Sequence, residues 1–167
     1  GKRFILFLRK NKLASTALVV MAAIAGGAIL GPAFYPYDPL AIDLDSTKAA
    51  PSWKHLCGTD SKGRDMLSRI FLGARITLLV SLSAALSSML IGLIVGLASG
   101  FFGGKVDIIL SIFIDITMAF PSLLLAIGIT VVLPPGIYTV IIALSLVGWT
   151  TLARLVRGLT ISQKAAP

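Results

Sequence analysis

Asp115 lies about ten residues into a long apolar run, a setting in which a carboxylate is costly and faces the bundle interior or a watery cavity. At ~100° per residue, Asp107, Ser111, Asp115, Met118 and Ser122 fall within an arc of roughly 80° on one helix face. A polar stripe on an otherwise apolar helix marks a face that avoids lipid. Two readings stand side by side. The stripe lines a pathway or flanks a hinge at Pro121, or Asp115 makes an interhelical hydrogen bond to a small-residue helix or a basic residue.

A second constellation is Gly58-Thr59-Asp60-Ser61-Lys62-Gly63-Arg64-Asp65, running into Met66-Leu67-Ser68-Arg69 and Gly73-Ala74-Arg75. Asp beside Gly is turn chemistry, and either Asp65 or Asp60 is placed to cap a following helix. Spacing alone does not make it a binding site. Nearby, His55 and Cys57 with Asp60 offer too few soft ligands, too closely spaced, for a structural zinc site, so they read as loop residues near a turn. With one cysteine there is no disulfide within the chain. The sequence contains no G-x-x-x-x-G-K-[ST], H-E-x-x-H or G-x-S-x-G. The chain is therefore read as no enzyme, with no cofactor or metal and no ATP hydrolysis of its own.

What must position these residues is a set of apolar helices. Hydrophobic residues make up 56% and charged residues 13% of the sequence, with a mean hydropathy of +0.95. A soluble domain carries about 25% charged residues, and half that cannot hydrate the surface of a water-exposed globule. A basic start (Lys2, Arg3, Arg9, Lys10, Lys12) precedes a first span from Leu13 to about Phe34. That run is nearer the ~20 residues of a transmembrane helix than the ~7–15 of a signal peptide. Residues 35–75 form a polar loop, within which Asp65–Gly73 has the spacing of a short amphipathic helix lying at the membrane surface. Residues 76–167 supply three further spans. The second runs from about Ile76 to Phe102, with Ala84, Ser88, Gly92, Gly96 and Gly100 along one side, a stripe suited to close helix packing in lipid. The third, Val106–Leu133, is expected to kink near Ala119–Pro121, where proline removes a backbone donor and crowds the preceding turn. The fourth runs from about Ile137 to Ala153, followed by Arg154, Arg157 and Lys164.

The net charge of +8 sits beside apolar runs, with no basic module, so it reads as a topology signal and a set of lipid-headgroup contacts, not as a nucleic-acid surface. The basic cluster abutting the first span argues for a cytoplasmic N-terminus and an external 35–75 loop. The expected fold is an all-α polytopic membrane bundle with about four transmembrane helices.

The run GTDSKGRDMLSRIFLGAR, beginning at Gly58, resembles the G-T-D-x-x-G-R-D-x-L-S-R-x-x-x-G-A-R signature of permease subunits in binding-protein-dependent ABC importers, in particular the dipeptide/oligopeptide/nickel group. The resemblance continues in order through Gly96, Phe102-Gly103-Gly104, Asp107, Asp115, Pro121 to Ala126, Trp149, Ala153-Arg154 and Val156-Arg157-Gly158. It implies a type I importer permease in the cell (inner) membrane. It also implies pairing with a second permease subunit, two cytoplasmic ATPase subunits and an external solute-binding protein docked near the 35–75 loop. Arg154 and Arg157 would then begin the cytoplasmic coupling segment. Members of that family continue into an E-A-A-type coupling loop and two more spans, whereas this sequence stops at Pro167. The resemblance therefore implies either a fragment or a truncated product, and the alternative to a transporter of small peptides or nickel is a non-transporting membrane scaffold. An ion-coupled secondary transporter would need broken helices in both halves, and only one span is interrupted by proline.

Overall fold

The structure, a computed structural model, describes residues 11–165; Lys2, Arg3, Arg9 and Lys10 of the N-terminal basic cluster lie outside the described residues. Among the described residues five α-helices follow one another: α1 (Lys12–Phe34), α2 (Met66–Phe102), α3 (Gly104–Ala119), α4 (Ser122–Val132) and α5 (Ile137–Ala165), with a 3₁₀ turn at Leu44–Ser46. Among the described residues the only β-type pairing is an isolated bridge between Thr59 and Asp65. By contacts the chain divides into two compact units, residues 1–78 and 79–167.

In the first unit, α1 has 23 residues, about 35 Å at 1.5 Å per residue, enough to cross a ~30 Å hydrocarbon core. It ends where Tyr35 precedes Pro36, because a residue before proline is pushed out of the helical region. Tyr35 adopts an extended conformation, and its N–H still donates to Gly31 O at 2.9 Å. Gly31 is closely approached: a methyl group there would fall 2.6 Å from the Phe71 ring of α2.

The stretch expected to form a separate surface helix, Asp65–Gly73, is instead the start of α2, which runs unbroken for 37 residues. Nothing between Met66 and Phe102 stops it, for the segment has no proline and Gly73 and Ala74 remain helical. Two glycines in the left-handed region, Gly103 (φ 64°) and Gly104 (φ 53°), turn the chain into α3.

In the second unit, the small-residue stripe of α2 meets α5. A methyl group on Gly92, Gly96 or Gly100 would fall within 2.8 Å of, respectively, Trp149 O, Ala153 O or the Thr160 side chain. Further up, the Ser88 hydroxyl donates to Ser145 O (3.1 Å) and the Ser145 hydroxyl to Ala84 O (3.4 Å). Contacts that advance together, 84 and 88 with 145, 96 with 153, 100 with 160, mean that α2 and α5 run parallel. The chain between them must therefore cross back over the same distance. α3 and α4 make that return as one span bent by 88°. The break falls at Phe120–Pro121, where Phe120 is extended and Pro121 has no N–H to give. Counting that pair as one, four segments among the described residues are long and apolar enough to cross a membrane. α5 continues well past the expected end of the fourth span, carrying Arg154 and Arg157 on the same helix.

Ile114, Trp149 and Ala153 form the buried core of this unit, with Ile91 and Val95 against it and Phe113 beside the Trp149 ring at 5.7 Å. Most of the large apolar side chains on all five helices face outward, as a lipid-solvated surface requires.

Candidate functional site

The signature loop is a knot of local hydrogen bonds. Asp60 accepts from the N–H groups of Lys62 (2.8 Å) and Arg64 (3.1 Å), from Arg64 Nε (2.8 Å) and from the Arg69 guanidinium. Gly63 permits the tight turn beneath it, with φ 73° and the Asp43 backbone directly against the position a Cβ would take. Gly58 (φ 71°) does the same beside Ala49 O. The Thr59 side chain ties the loop across itself, accepting from Ala49 N at 2.8 Å and donating to Ser46 O. The hydrogen-bonded guanidinium of Arg64 holds the Asp60 carboxyl well below the usual carboxylate range.

Asp65, only 3% exposed, is the cap of α2: one carboxylate oxygen accepts from Ser68 N at 2.8 Å. Its other oxygen accepts from the Tyr35 hydroxyl (3.1 Å) and lies 2.9 Å from His55 Nδ1. Burial pushes the Asp65 carboxyl up, but the bonds from Ser68, His55 and Tyr35 outweigh it and hold it below its ordinary value. The Tyr37 ring covers His55 at 5.1 Å. His55 is thus a buried partner of the cap. Its sequence surroundings, a polar loop, gave no sign of that, because Asp65 is ten positions away and Tyr35 twenty. Gly58, Thr59, Asp60, Gly63, Arg64 and Asp65 are all brought together here, and what the arrangement does is fix the loop on the start of α2.

In the second unit, Asp107 and Asp115 meet the two arginines of α5. Asp107 takes a bidentate grip from Arg157, Nε to Oδ1 at 2.5 Å and Nη2 to Oδ2 at 2.7 Å, with the Ser99 hydroxyl (2.5 Å) and Ser111 hydroxyl (3.3 Å) also donating to Oδ1. Fork-to-fork pairing is the strongest geometry open to these groups. Asp107 also stands in the first turn of α3, where a negative charge favours the helix dipole. Arg154 Nη2 donates to Asp115 Oδ1 at 2.6 Å. Asp115 is 66% exposed in this chain, so its own bundle does not cover it. The Arg157–Asp107 pair was not foreseen; the only sequence signal for it was that both residues flank apolar runs at the same end.

The expected five-residue stripe does not survive intact. Pro121 ends α3, and Ser122 begins α4 on the far side of the 88° bend. Pro121 and Ser122 instead line a cavity of about 490 Å³ at the break, shared with Thr117 and Met118 of α3 and with Gly148, Thr150 and Thr151 of α5. Among the described residues there is no group of three or more His, Cys, Asp or Glu placed to hold a metal ion.

The geometry can be set beside known proteins. Residues 1–51 match the family model described as the N-terminal TM domain of oligopeptide transport permease C. The chain is 42% identical over 163 residues to the oligopeptide transport system permease protein OppC of Bacillus subtilis, covering 98% of this chain and 53% of that protein. It is 39% identical over 151 residues to the dipeptide transport system permease protein DppC of the same organism, covering 90% of this chain and 47% of the relative. The oligopeptide permease OppC of Haemophilus influenzae is 37% identical over 157 residues, 93% of this chain and 50% of its own length. The chain spans about half the length of the curated relatives it matches.

Proposed function

Because this chain is a relative of the permease subunits of oligopeptide and dipeptide ABC importers, we propose that it forms part of the membrane path through which such an importer moves small peptides. The observation that carries this reading is the 42% identity extending over 98% of the chain, which takes in the signature loop, the bent span and both arginines of α5. The relatives named above are oligopeptide and dipeptide permeases, which favours peptides over nickel as cargo.

In this reading the protein sits in the cell (inner) membrane with its N-terminus cytoplasmic and the 35–65 loop outside. The loop, stiffened by Asp60 and Asp65, serves as the platform near which an external solute-binding protein docks. A second permease subunit completes the path, and the exposed Asp115–Arg154 pair lies on the face that subunit or the path would cover. Two ATPase subunits act where Arg157, Lys164 and the α2–α3 turn come together; Lys164 Nζ donates there to Phe101 O at 3.0 Å.

The test is uptake and recovery together. Deleting the gene should abolish uptake of at least one di- or oligopeptide, and affinity purification from gently solubilised membranes should recover a second permease and ATPase subunits. Normal uptake of all such peptides by the deletion strain would overturn the proposal.

A further inference from the structure

The 490 Å³ cavity at the helix break contains an unusual set of donors. The first helical bond of α4 is Leu125 N to Pro121 O, so the N–H groups of Ser122, Leu123 and Leu124 have no acceptor within their own helix. The N-cap residue, Pro121, offers no side-chain acceptor either. These groups carry the positive end of the α4 dipole. In an apolar span such donors must find a partner in protein, water or a ligand, and an unmet donor there is costly.

A second observation comes from the opposite wall. Thr150 of α5 lines the same cavity and is only 4% exposed, yet among the described residues its hydroxyl has no hydrogen-bond partner. Other buried hydroxyls of α5 do find one, as Ser145 does on Ile141 O and Ala84 O. Gly148 of α5 also lines the cavity. The neighbours Asp115 and Arg154 pair with each other at 2.6 Å, Arg154 lying one helical turn from Thr150. The cavity is left with free donors, a positive helix end and no net charge of its own.

We infer that the cavity is a transient subsite for a carboxylate, occupied by the C-terminal carboxylate of a peptide in transit and held by the α4 N-terminus and the Thr150 hydroxyl. The inference rests on the peptide-permease reading and deepens it. A carboxylate is the one anionic group that peptides of every sequence share, so a site for it orients cargo without selecting side chains. Dipole and hydroxyl attract it without a full cationic charge, which leaves the peptide free to move on.

The experiment uses the complete importer, with its binding protein and ATPase subunits, reconstituted in liposomes. Initial uptake rates are measured for trialanine, trialanine amide and amidated Ala-Asp-Ala. The binding protein's own preference is common to all permease variants and divides out of the ratios. In Thr150→Val the acid-to-amide rate ratio should fall about ten- to a hundredfold, the effect of one hydrogen bond to a charged group. Thr150→Ser should restore the ratio. Pro121→Asp, which places a fixed carboxylate on the α4 N-terminus, should lower it independently. Sensitivity of amidated Ala-Asp-Ala to Thr150→Val would show that a side-chain carboxylate can enter the same site; insensitivity would restrict it to the chain end. Acid and amide rates that fall in proportion, or not at all, would overturn the subsite while leaving a peptide permease in place. Failure of the wild-type importer to move trialanine or other peptides would overturn the functional reading beneath it.

Discussion

Gly96→Ala puts the packing of α2 on α5 to a sharp test. A methyl group at that position would lie 2.6 Å from Ala153 O and 2.8 Å from Val156 Cβ. Reaching the ~3.4 Å of ordinary contact requires the helices to part by roughly 0.8–1 Å, and a gap of that size already forfeits a quarter to a half of each facing dispersion contact. Because Gly92 and Gly100 make the same close approach one turn to either side, the loss spreads along the seam. Overpacking of this kind costs about 1–3 kcal/mol, against which alanine's helix propensity returns up to about 1 kcal/mol. Gly73→Ala is the control. It sits in the same helix with nothing within 4 Å of the added methyl, so only the propensity gain applies. At about 2–4 °C per kcal/mol for a chain of this size, the two variants should separate in thermal melts of the detergent-solubilised protein, Gly73→Ala at or above wild type and Gly96→Ala several degrees below it. If Gly96→Ala melts as high as Gly73→Ala, α2 and α5 are not in the contact described.

Four further outcomes follow from the ion pairs, the loop and the assigned topology. Asp107→Asn and Arg157→Gln should each destabilise the second unit by about 1–3 kcal/mol, less than for a fully buried pair because both groups retain some exposure, and the double variant should cost clearly less than the sum; additive losses in that cycle would deny the pairing. Asp65→Ala should cost about 0.5–2 kcal/mol through the lost cap and strand the Tyr35 hydroxyl and His55 Nδ1, so hydrogen exchange and proteolysis should accelerate across residues 49–68 while α5 is unaffected. The Asp60 and Asp65 carboxyls are both held below their ordinary value of 3.8. Their contribution to loop stability is therefore fully present above about pH 4 and declines as the pH falls below it; exchange at the Thr59 and Asp60 amides should be flat from pH 7 to about 4 after correction for intrinsic rates, then rise, and a loss already complete at pH 6 would contradict these assignments. The assigned topology predicts that a membrane-impermeant maleimide labels Cys57, which is exposed, in spheroplasts but not in inside-out vesicles, with Cys57→Ser as the blank.

The parts of this fold that sequence made legible were those governed by one-dimensional rules. Apolar runs of span length, the small-residue side of α2 and the proline break in the third span each depend on neighbours within a turn or two, and hydropathy and spacing report those directly. The stretch at 65–73 is continuous with α2, not a separate surface helix, because backbone continuity depends on breakers and not on polarity, and Gly73-Ala74-Arg75 contains none strong enough. Ser122 leaves the polar stripe because a face at ~100° per residue does not continue through Pro121, where the helix axis turns by 88°. The cap network of Tyr35, His55 and Asp65, and the bidentate hold of Arg157 on Asp107, were illegible in a different sense. Their members lie 10 to 50 positions apart, and only the folded path decides that they meet.

The second unit is stiff at one end and soft at the other, and the difference has a mechanical consequence. At the Lys164 end, α5 is fastened to α2 by the bond to Phe101 O, to α3 by the Arg157 fork, and through Asp107 to Ser99 of α2. These are charge-assisted bonds, stronger than hydrogen bonds between neutral groups. At the other end α4 meets α5 through apolar side chains around Phe120, Leu125 and Leu146, and it lines two cavities in doing so. Apolar contacts of that kind exchange partners at little cost, whereas a bidentate ion pair does not slip. A push delivered at the Arg157 end would accordingly move α2, α3 and α5 as one piece, and the strain would be relieved at the Phe120–Pro121 bend, where α4 is free to tilt and the cavity to change volume. A disulfide between Ser122→Cys and Thr151→Cys, both lining that cavity, in an otherwise cysteine-free importer should therefore arrest peptide uptake until it is reduced, while ATPase assembly is retained. Undiminished transport by the oxidised, crosslinked protein would place the moving element elsewhere.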